Sequence, residues 1–346
     1  MKTKFYKSKL FIITLGYIIL LISFYFVVFT YSETISLVAS TIVSIFVLIY
    51  IFKNKPRIFT IFFSFLLLTI NISCLIIDIQ NSFRSNLQVE SLFVKGEKRE
   101  YCYYIPAKFN SSENKSCIIA LHGFMQTAQT MERLTRFNYY ADTLNFAVVY
   151  PEGYKKSWND GDDTKPATRD NIDDIAFLSK IISKLKAEYS IENFYLTGFS
   201  NGGFLTVDAA CSLDTVVDGF AVVAAGTWEG NLSNCIEVRI PKSMFILMKE
   251  DPLTKWNKFG NSVNNYLGKS GCINNIEKDT ILTGDTFTVI DYQCGDKITR
   301  EAIFESGGHV WPGGGQYLPS FMIGSAVDNI DASKLILDFL FKDMLK

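Results

Sequence analysis

Histidine is nearly absent from this chain: of 346 residues, only two, His122 and His309, carry an imidazole. With so few, and with no C-x-x-C pattern or Cys/His cluster, the sequence offers no zinc ligand set. No metal and no cofactor is expected. A surplus of either charge is missing too. The 34 Lys and Arg against 35 Asp and Glu leave a net charge of -1, which gives no electrostatic footprint for a nucleic acid or other polyanion. Internal repeats and low-complexity tracts are absent as well.

What is plentiful is apolar sequence, and it is unevenly placed. Three apolar runs, 10–30, 35–52 and 58–77, crowd the first eighty residues. Each is close to the ~20 residues that cross a bilayer core. A single such run could be a buried core helix; three in succession with almost no internal charge read as membrane spans. Cations flank them unequally. Lys2, Lys4, Lys7 and Lys9 precede the first run and Lys53, Lys55 and Arg57 separate the second from the third, whereas Glu33 lies between the first two. Cations stay on the cytoplasmic side, so the N-terminus is expected inside and everything after residue 77 outside, periplasmic or extracellular. The first run is too long for a cleaved signal peptide, and no A-x-A-like site follows it. The expected organisation is a three-span membrane anchor (1–80), a polar tether (81–88) and a large α/β domain (89–346), with the lipid bilayer as a partner.

Seven cysteines fit that topology. Cys74 falls in the third run. The other six, Cys102, Cys117, Cys211, Cys235, Cys272 and Cys294, form an even set in an exported domain and suggest disulfides. Six cysteines allow 15 connectivities, among which sequence does not choose. Sequential pairing is the expectation, because each pair would close a short loop.

Past the tether, strands are expected at 101–105, 117–121, 146–150, 194–196, 220–225, 243–248, 286–291 and 298–304, and several are apolar enough throughout for strands covered on both faces. Between them Ile175, Leu178, Ile181, Ile182 and Leu185 recur at helical spacing behind Asp173 and Asp174. A further helical stretch runs to about Leu267, and Asp331 can cap a last helix over 335–345. Strands alternating with helices imply a mostly parallel, doubly covered sheet.

The chemistry gathers at Gly198-Phe-Ser-Asn-Gly202, which follows one strand and precedes a helix-like run. The plain alternative is a glycine-rich turn with a solvated serine. In its strand-turn-helix context the pattern is the G-x-S-x-G elbow, which presents the serine hydroxyl above a sheet edge. Ser200 then needs a base and an oriented acid. In the α/β-hydrolase order of serine, acid, histidine, His309 alone follows the serine. It sits in Glu305-Ser-Gly-Gly-His-Val-Trp-Pro-Gly313, whose glycines let a loop carry the ring over the sheet. Asp251, directly after the 243–248 strand, is the expected acid, with Glu250 and Asp291 as rivals. The oxyanion hole is expected from the backbone N–H groups of Asn201 and of Phe124 or Gly123. His122 adjoins that loop. With it, Trp158 and Trp311 are candidates for substrate contact, since an aromatic can stack on a phenolic or sugar moiety, although core packing serves as well.

Residues 89–346 resemble the polyhydroxybutyrate depolymerase and feruloyl/acetylxylan esterase group of secreted α/β-hydrolases. The resemblance is carried by Arg99-Glu-Tyr-Cys-Tyr-Tyr-Ile-Pro106, Leu121-His-Gly-Phe-Met-Gln126, Val149-Tyr-Pro-Glu-Gly153 with Ser157-Trp-Asn-Asp-Gly161, and Asp173-Asp-Ile-Ala-Phe177. It continues through Gly198-Phe-Ser-Asn-Gly-Gly203, Gly308-His-Val-Trp-Pro-Gly313 and Asp331-Ala-Ser. It implies an α/β-hydrolase fold, an ester hydrolase with Ser200, Asp251 and His309 as its triad, and disulfides among the cysteines. Two features depart from the group: Met248-Lys-Glu-Asp-Pro252 stands where a His-Gly-x-x-Asp-Pro type segment is usual, and the three-span anchor is foreign to a secreted pattern. The expected function is a membrane-anchored serine esterase acting on a small-molecule or polymer ester outside the cytoplasm. Alternatives are an acyltransferase onto an envelope alcohol and a binding module on an inactive hydrolase scaffold.

Overall fold

The computed structural model describes residues 87–109, 115–236, 239, 242–272 and 276–341. The three expected spans, Cys74 and all but the last two tether residues lie outside them. Among the described residues no helix is long and apolar enough to cross a membrane.

The strands are β1 (Gln88–Val94), β2 (Glu97–Tyr104), β3 (Ser116–Leu121), β4 (Ala147–Pro151), β5 (Asn193–Phe199), β6 (Gly219–Val223), β7 (Lys242–Met248), β8 (Glu277–Thr283), β9 (Phe287–Cys294) and β10 (Lys297–Phe304). They form one sheet in the order β1-β2-β4-β3-β5-β6-β7-β10-β9-β8. From β4 across to β10 all neighbours are parallel. The outer pairs on each side are antiparallel. Helices cover both faces, and the continuous apolar runs follow from that. Successive side chains of a strand point to opposite faces, so Ile119 and Leu121 enter one core while Ile118 and Ala120 enter the other.

The helices are α1 (Ala128–Thr135), α2 (Phe137–Leu144), α3 (Pro166–Arg169), α4 (Asp174–Tyr189), α5 (Asn201–Ser212), α6 (Trp256–Phe259), α7 (Ser262–Lys269), α8 (Ser320–Ile323) and α9 (Ala332–Leu340). The first core takes Phe177, Leu178 and Ile181 of α4, Leu205 of α5 and Tyr266 of α7. The second takes Met131 of α1, Phe137 of α2, and Ile336 and Leu337 of α9. Asp173 caps α4 by accepting the Ala176 amide. Asp331 accepts the amides of Ser333 and Lys334, which starts α9 three residues earlier than its apolar spacing suggests.

Two of the three expected disulfides are present, Cys211–Cys235 and Cys272–Cys294. The third is not: Cys102 and Cys117 are both buried free thiols. The strand order explains the correction. Cys102 lies on β2 and Cys117 on β3, with β4 between them. Strands about 4.8 Å apart put their Cα atoms beyond the ~7 Å a disulfide spans. The two side chains also enter opposite cores. Burial pushes the Cys102 thiol up to about 12 and raises Cys117 as well, so both behave as small apolar groups.

Candidate active site

Because β3 to β7 and β10 run the same way, the loops leaving their carboxyl ends gather along one edge of the sheet. Ser200 stands there at the end of β5, with φ 53° and ψ -122°, a conformation costly for a non-glycine residue and characteristic of strained functional turns. The surroundings enforce it. The Ser200 N–H donates to Val223 O at 3.0 Å, pinning the bend to β6. A Cβ on Gly198 would lie 2.3 Å from Gly202 O, and one on Gly202 2.4 Å from the carbonyl oxygens of Leu121 and His122. Only glycine lets α5 close this tightly on β3 and β5.

The structure brings Ser200, His309 and Asp251 into one hydrogen-bonded line. The Ser200 hydroxyl donates to His309 Nε2 at 2.7 Å, and His309 Nδ1–H donates to Asp251 Oδ2 at 2.8 Å. The other carboxylate oxygen accepts the amides of Leu253 and Thr254 at 2.7 and 2.8 Å. That grip leaves Oδ2 one orientation, toward the ring. Phe199 packs beside the imidazole, ring centroids 5.1 Å apart. The rival acids point elsewhere: Glu250 is exposed, and Asp291 makes a two-point ion pair with Arg300.

The amides expected as oxyanion donors belong to α5 and to the loop after β3, the element that pairs with β5. Asn201 opens α5, whose first amides lack intrahelical acceptors and carry the positive end of the helix dipole. Two alternatives stand in the β3 loop. Gly123 N–H already donates to Gln126 Oε1 at 2.9 Å, which leaves Phe124 as the candidate.

None of the three candidates for substrate contact is available for it. His122 is fully buried; its Nε2 accepts the Gly153 amide at 3.0 Å and its Nδ1–H donates to Gly123 O at 2.7 Å. Both ring nitrogens are therefore used in holding the loop. Burial pushes its pKa down to about 4, with Lys156 and Arg99 acting in the same sense against the Gly123 bond. Trp158 is also fully buried, its ring 5.0 Å from that of His122. Trp311 is 1% exposed and ties the His309 loop to α9 by donating to Ser333 Oγ at 3.0 Å. A ring without accessible surface cannot stack on a substrate. Exposed apolar side chains occur on the segments that follow the acid and the base: Leu253 after Asp251, and Leu318, Phe321 and Met322 after His309.

Sequence reasoning missed the groups around Asn201. Its side chain is 2% exposed, accepts the Trp158 amide at 2.8 Å, and donates to Trp158 O at 3.1 Å and to Asp160 Oδ2 at 2.6 Å. The signal was the compact Ser157-Trp-Asn-Asp-Gly161 itself, whose residues turn inward rather than toward a ligand. Arg99 and Asp174 form a buried ion pair at 2.7 Å, and Asp174 Oδ2 accepts the Asn159 amide at 2.8 Å. The loop is thus held at both ends.

Strand order and the placement of serine, acid and histidine after β5, β7 and β10 define the α/β-hydrolase fold. Residues 99–282 match the family model for esterase PHB depolymerase, and the chain belongs to that family. The matched stretch includes Ser200 and Asp251 and stops short of His309. Among curated proteins the chain is similar to a bifunctional acetylxylan esterase/xylanase of Neocallimastix patriciarum, 32% identical over 131 residues, which is 37% of this chain and 18% of that protein. It is likewise similar to poly(3-hydroxyalkanoate) depolymerase C of Paucimonas lemoignei, 29% identical over 124 residues, 34% of this chain and 29% of that one. The chain thus spans less than a third of either relative. A solved acetyl xylan esterase from Aspergillus awamori superimposes with a TM-score of 0.49 at 13% identity, covering 64% of this chain and 94% of that one.

Proposed function

We propose that this protein is a serine carboxylic ester hydrolase that works through Ser200, His309 and Asp251. The observation that carries the reading is the unbroken line from Ser200 Oγ through His309 to Asp251, at 2.7 and 2.8 Å. His309 takes the hydroxyl proton as Ser200 attacks the ester carbonyl. The amides of Asn201 and Phe124 receive the negative charge that develops on the carbonyl oxygen. Asp251 holds the imidazole in the Nδ1–H tautomer and stabilises the imidazolium. His309 then passes the proton to the departing alkoxide, and a water activated by the same ring releases the acyl group from Ser200.

Exposed apolar residues on the segments that follow the acid and the base support a substrate with apolar surface in its acyl or alcohol part. The names of the relatives add esters carried on polymers to that class. We place the domain outside the cytoplasm, tethered by its N-terminal apolar runs. The two disulfides support an oxidising compartment, and the flanking cations support the orientation.

A fluorophosphonate probe should label the full-length protein, and a panel of p-nitrophenyl esters should be turned over. Ser200→Ala should lose both. Labelling or hydrolysis that survives the substitution would remove Ser200 from the chemistry. Recovery of the protein in carbonate-washed membranes tests the anchor separately.

A further inference from the structure

The two amides expected to meet the oxyanion come from elements that the sheet stops holding just before it needs them. The β3–β5 ladder ends at the pair Leu121–Gly198. Beyond it one chain enters the 122–127 loop and the other turns through Ser200 into α5. Gly202 packs on the carbonyls of Leu121 and His122, which limits how near the two chains come. That contact does nothing to stop them moving apart.

Trp158 bonds to both. Its indole N–H donates to His122 O at 2.8 Å, two residues before Phe124. Its backbone N–H and carbonyl grip the Asn201 side chain at 2.8 and 3.1 Å. Asp160 Oδ2 takes a further bond from Asn201 Nδ2 at 2.6 Å. Trp158, His122, Asn201 and Asp160 are all buried, so water offers these groups little competition. The Trp158 ring is flanked by His122 and by the Arg99 guanidinium, 5.9 Å from its centroid, which fixes the indole N–H direction. A residue that only filled volume would not need to satisfy a carbonyl on one side of the site and a side-chain amide on the other.

We propose that Trp158 is a positioning residue: a strap across the two donor elements that sets the separation of the Phe124 and Asn201 amides. The inference rests on the assignment of Ser200, His309 and those amides made above. Its physical basis is that donors stabilise a transition state only when fixed where charge develops, and small misplacements are costly.

The test compares Trp158→Phe, Asn201→Ala and the double variant with the parent in the full chain. Three quantities are read: fluorophosphonate end-point titration for competent sites, kcat and KM per titrated site, and affinity for a trifluoromethyl ketone, whose hemiketal oxygen occupies the oxyanion position. Each single variant should lose about tenfold or more in kcat per site, with KM held within about twofold and ketone affinity falling in step. The double variant should be little worse than the poorer single one, since both cut the same strap. Unchanged kcat per titrated site overturns the proposal, including the case where fewer sites titrate, because that is the signature of a merely structural residue. Losses that multiply in the double variant overturn it too. If Trp158→Phe yields no competent sites, replacing Trp158 with 3-benzothienylalanine, in which sulfur stands for the N–H, carries the same comparison. Hydrolysis by Ser200→Ala would instead sink the underlying assignment and leave the strap aside.

Discussion

The loops around His122 and His309 hold the same side chain in the same tautomer, and only one of them can use it. Both rings are buried, at 0 and 3% exposure. Each donates from Nδ1 and accepts on Nε2. The difference is in the partners. His122 hydrogen-bonds a backbone carbonyl and a backbone amide, neither of which exchanges a proton at ordinary pH, and the Glu152 carboxylate stays 3.7 Å from its Nε2, beyond hydrogen-bond reach. His309 lies between a hydroxyl and a carboxylate, so a proton can arrive on one side while charge is stabilised on the other. Burial and full hydrogen bonding therefore say nothing about catalysis by themselves. What separates a base from a bracket is whether the group on the accepting nitrogen has a proton to give and something to do once it has given it.

The largest expected effect breaks the comparison directly. His309→Gln should lower kcat for p-nitrophenyl acetate by at least ~10⁴-fold with folding intact, because it removes the ring nitrogen that stands 2.7 Å from Ser200 Oγ. His122→Gln should keep fluorophosphonate labelling and lose only about 10- to 100-fold, through a loosened Gly123–Phe124 loop. Equal losses in the two variants would erase the distinction. Next in size is Asp251→Asn, which keeps the shape of the acid and removes the preference for the Nδ1–H tautomer. A fall of about 10⁴ in kcat is expected, whereas Glu250→Gln, altering an exposed neighbour, should leave kcat within about twofold. If Glu250→Gln were the damaging change, the acid side of the line would be misread.

The legible parts of this molecule were those where backbone chemistry forces residue type. Gly198 and Gly202 are dictated by contacts that no Cβ survives, and His309 stood out because the chain has so few imidazoles. Asp251 could be placed ahead of Glu250 because acids follow strand ends in this fold, but the grip of the Leu253 and Thr254 amides that aims it was not visible in sequence. Less legible was everything set by how loops fold back. An aromatic in a loop reads as a ligand contact until the loop is seen to bury it, as with Trp158 and Trp311. Sequence proximity made Cys102 and Cys117 look like a pair, because it carries no information that β4 inserts between β2 and β3. β1 and β8 gave little to read: the only apolar run in β1 is the three residues Leu92-Phe93-Val94, and β8 is exposed along its whole length. The expected spans at 10–30, 35–52 and 58–77 rest on hydropathy and flanking charge alone.

The smallest effect sharpens the comparison by using His122 as a pH probe of the fold. In the unfolded chain a histidine titrates near 6.5, whereas burial lowers His122 to about 4 in the folded protein. Between those values the unfolded state holds a proton that the folded state refuses. The His122 contribution to stability is therefore complete above about pH 6.5, falls as pH drops, and levels off below about pH 4. Asp160 and Asp174 act oppositely: burial raises their carboxyls, so they favour the folded state as pH falls, and the overall pH profile mixes the two signs. A difference measurement separates them. Urea unfolding of the parent and of His122→Gln should show a stability gap about 2 to 3 kcal/mol smaller at pH 4.5 than at pH 7, since the variant carries no group to titrate there. A gap that stays constant would mean that the ring takes up its proton in the folded state. In that case the Gly153 amide could not be donating to Nε2, and the bracket role assigned to His122 would fail with it.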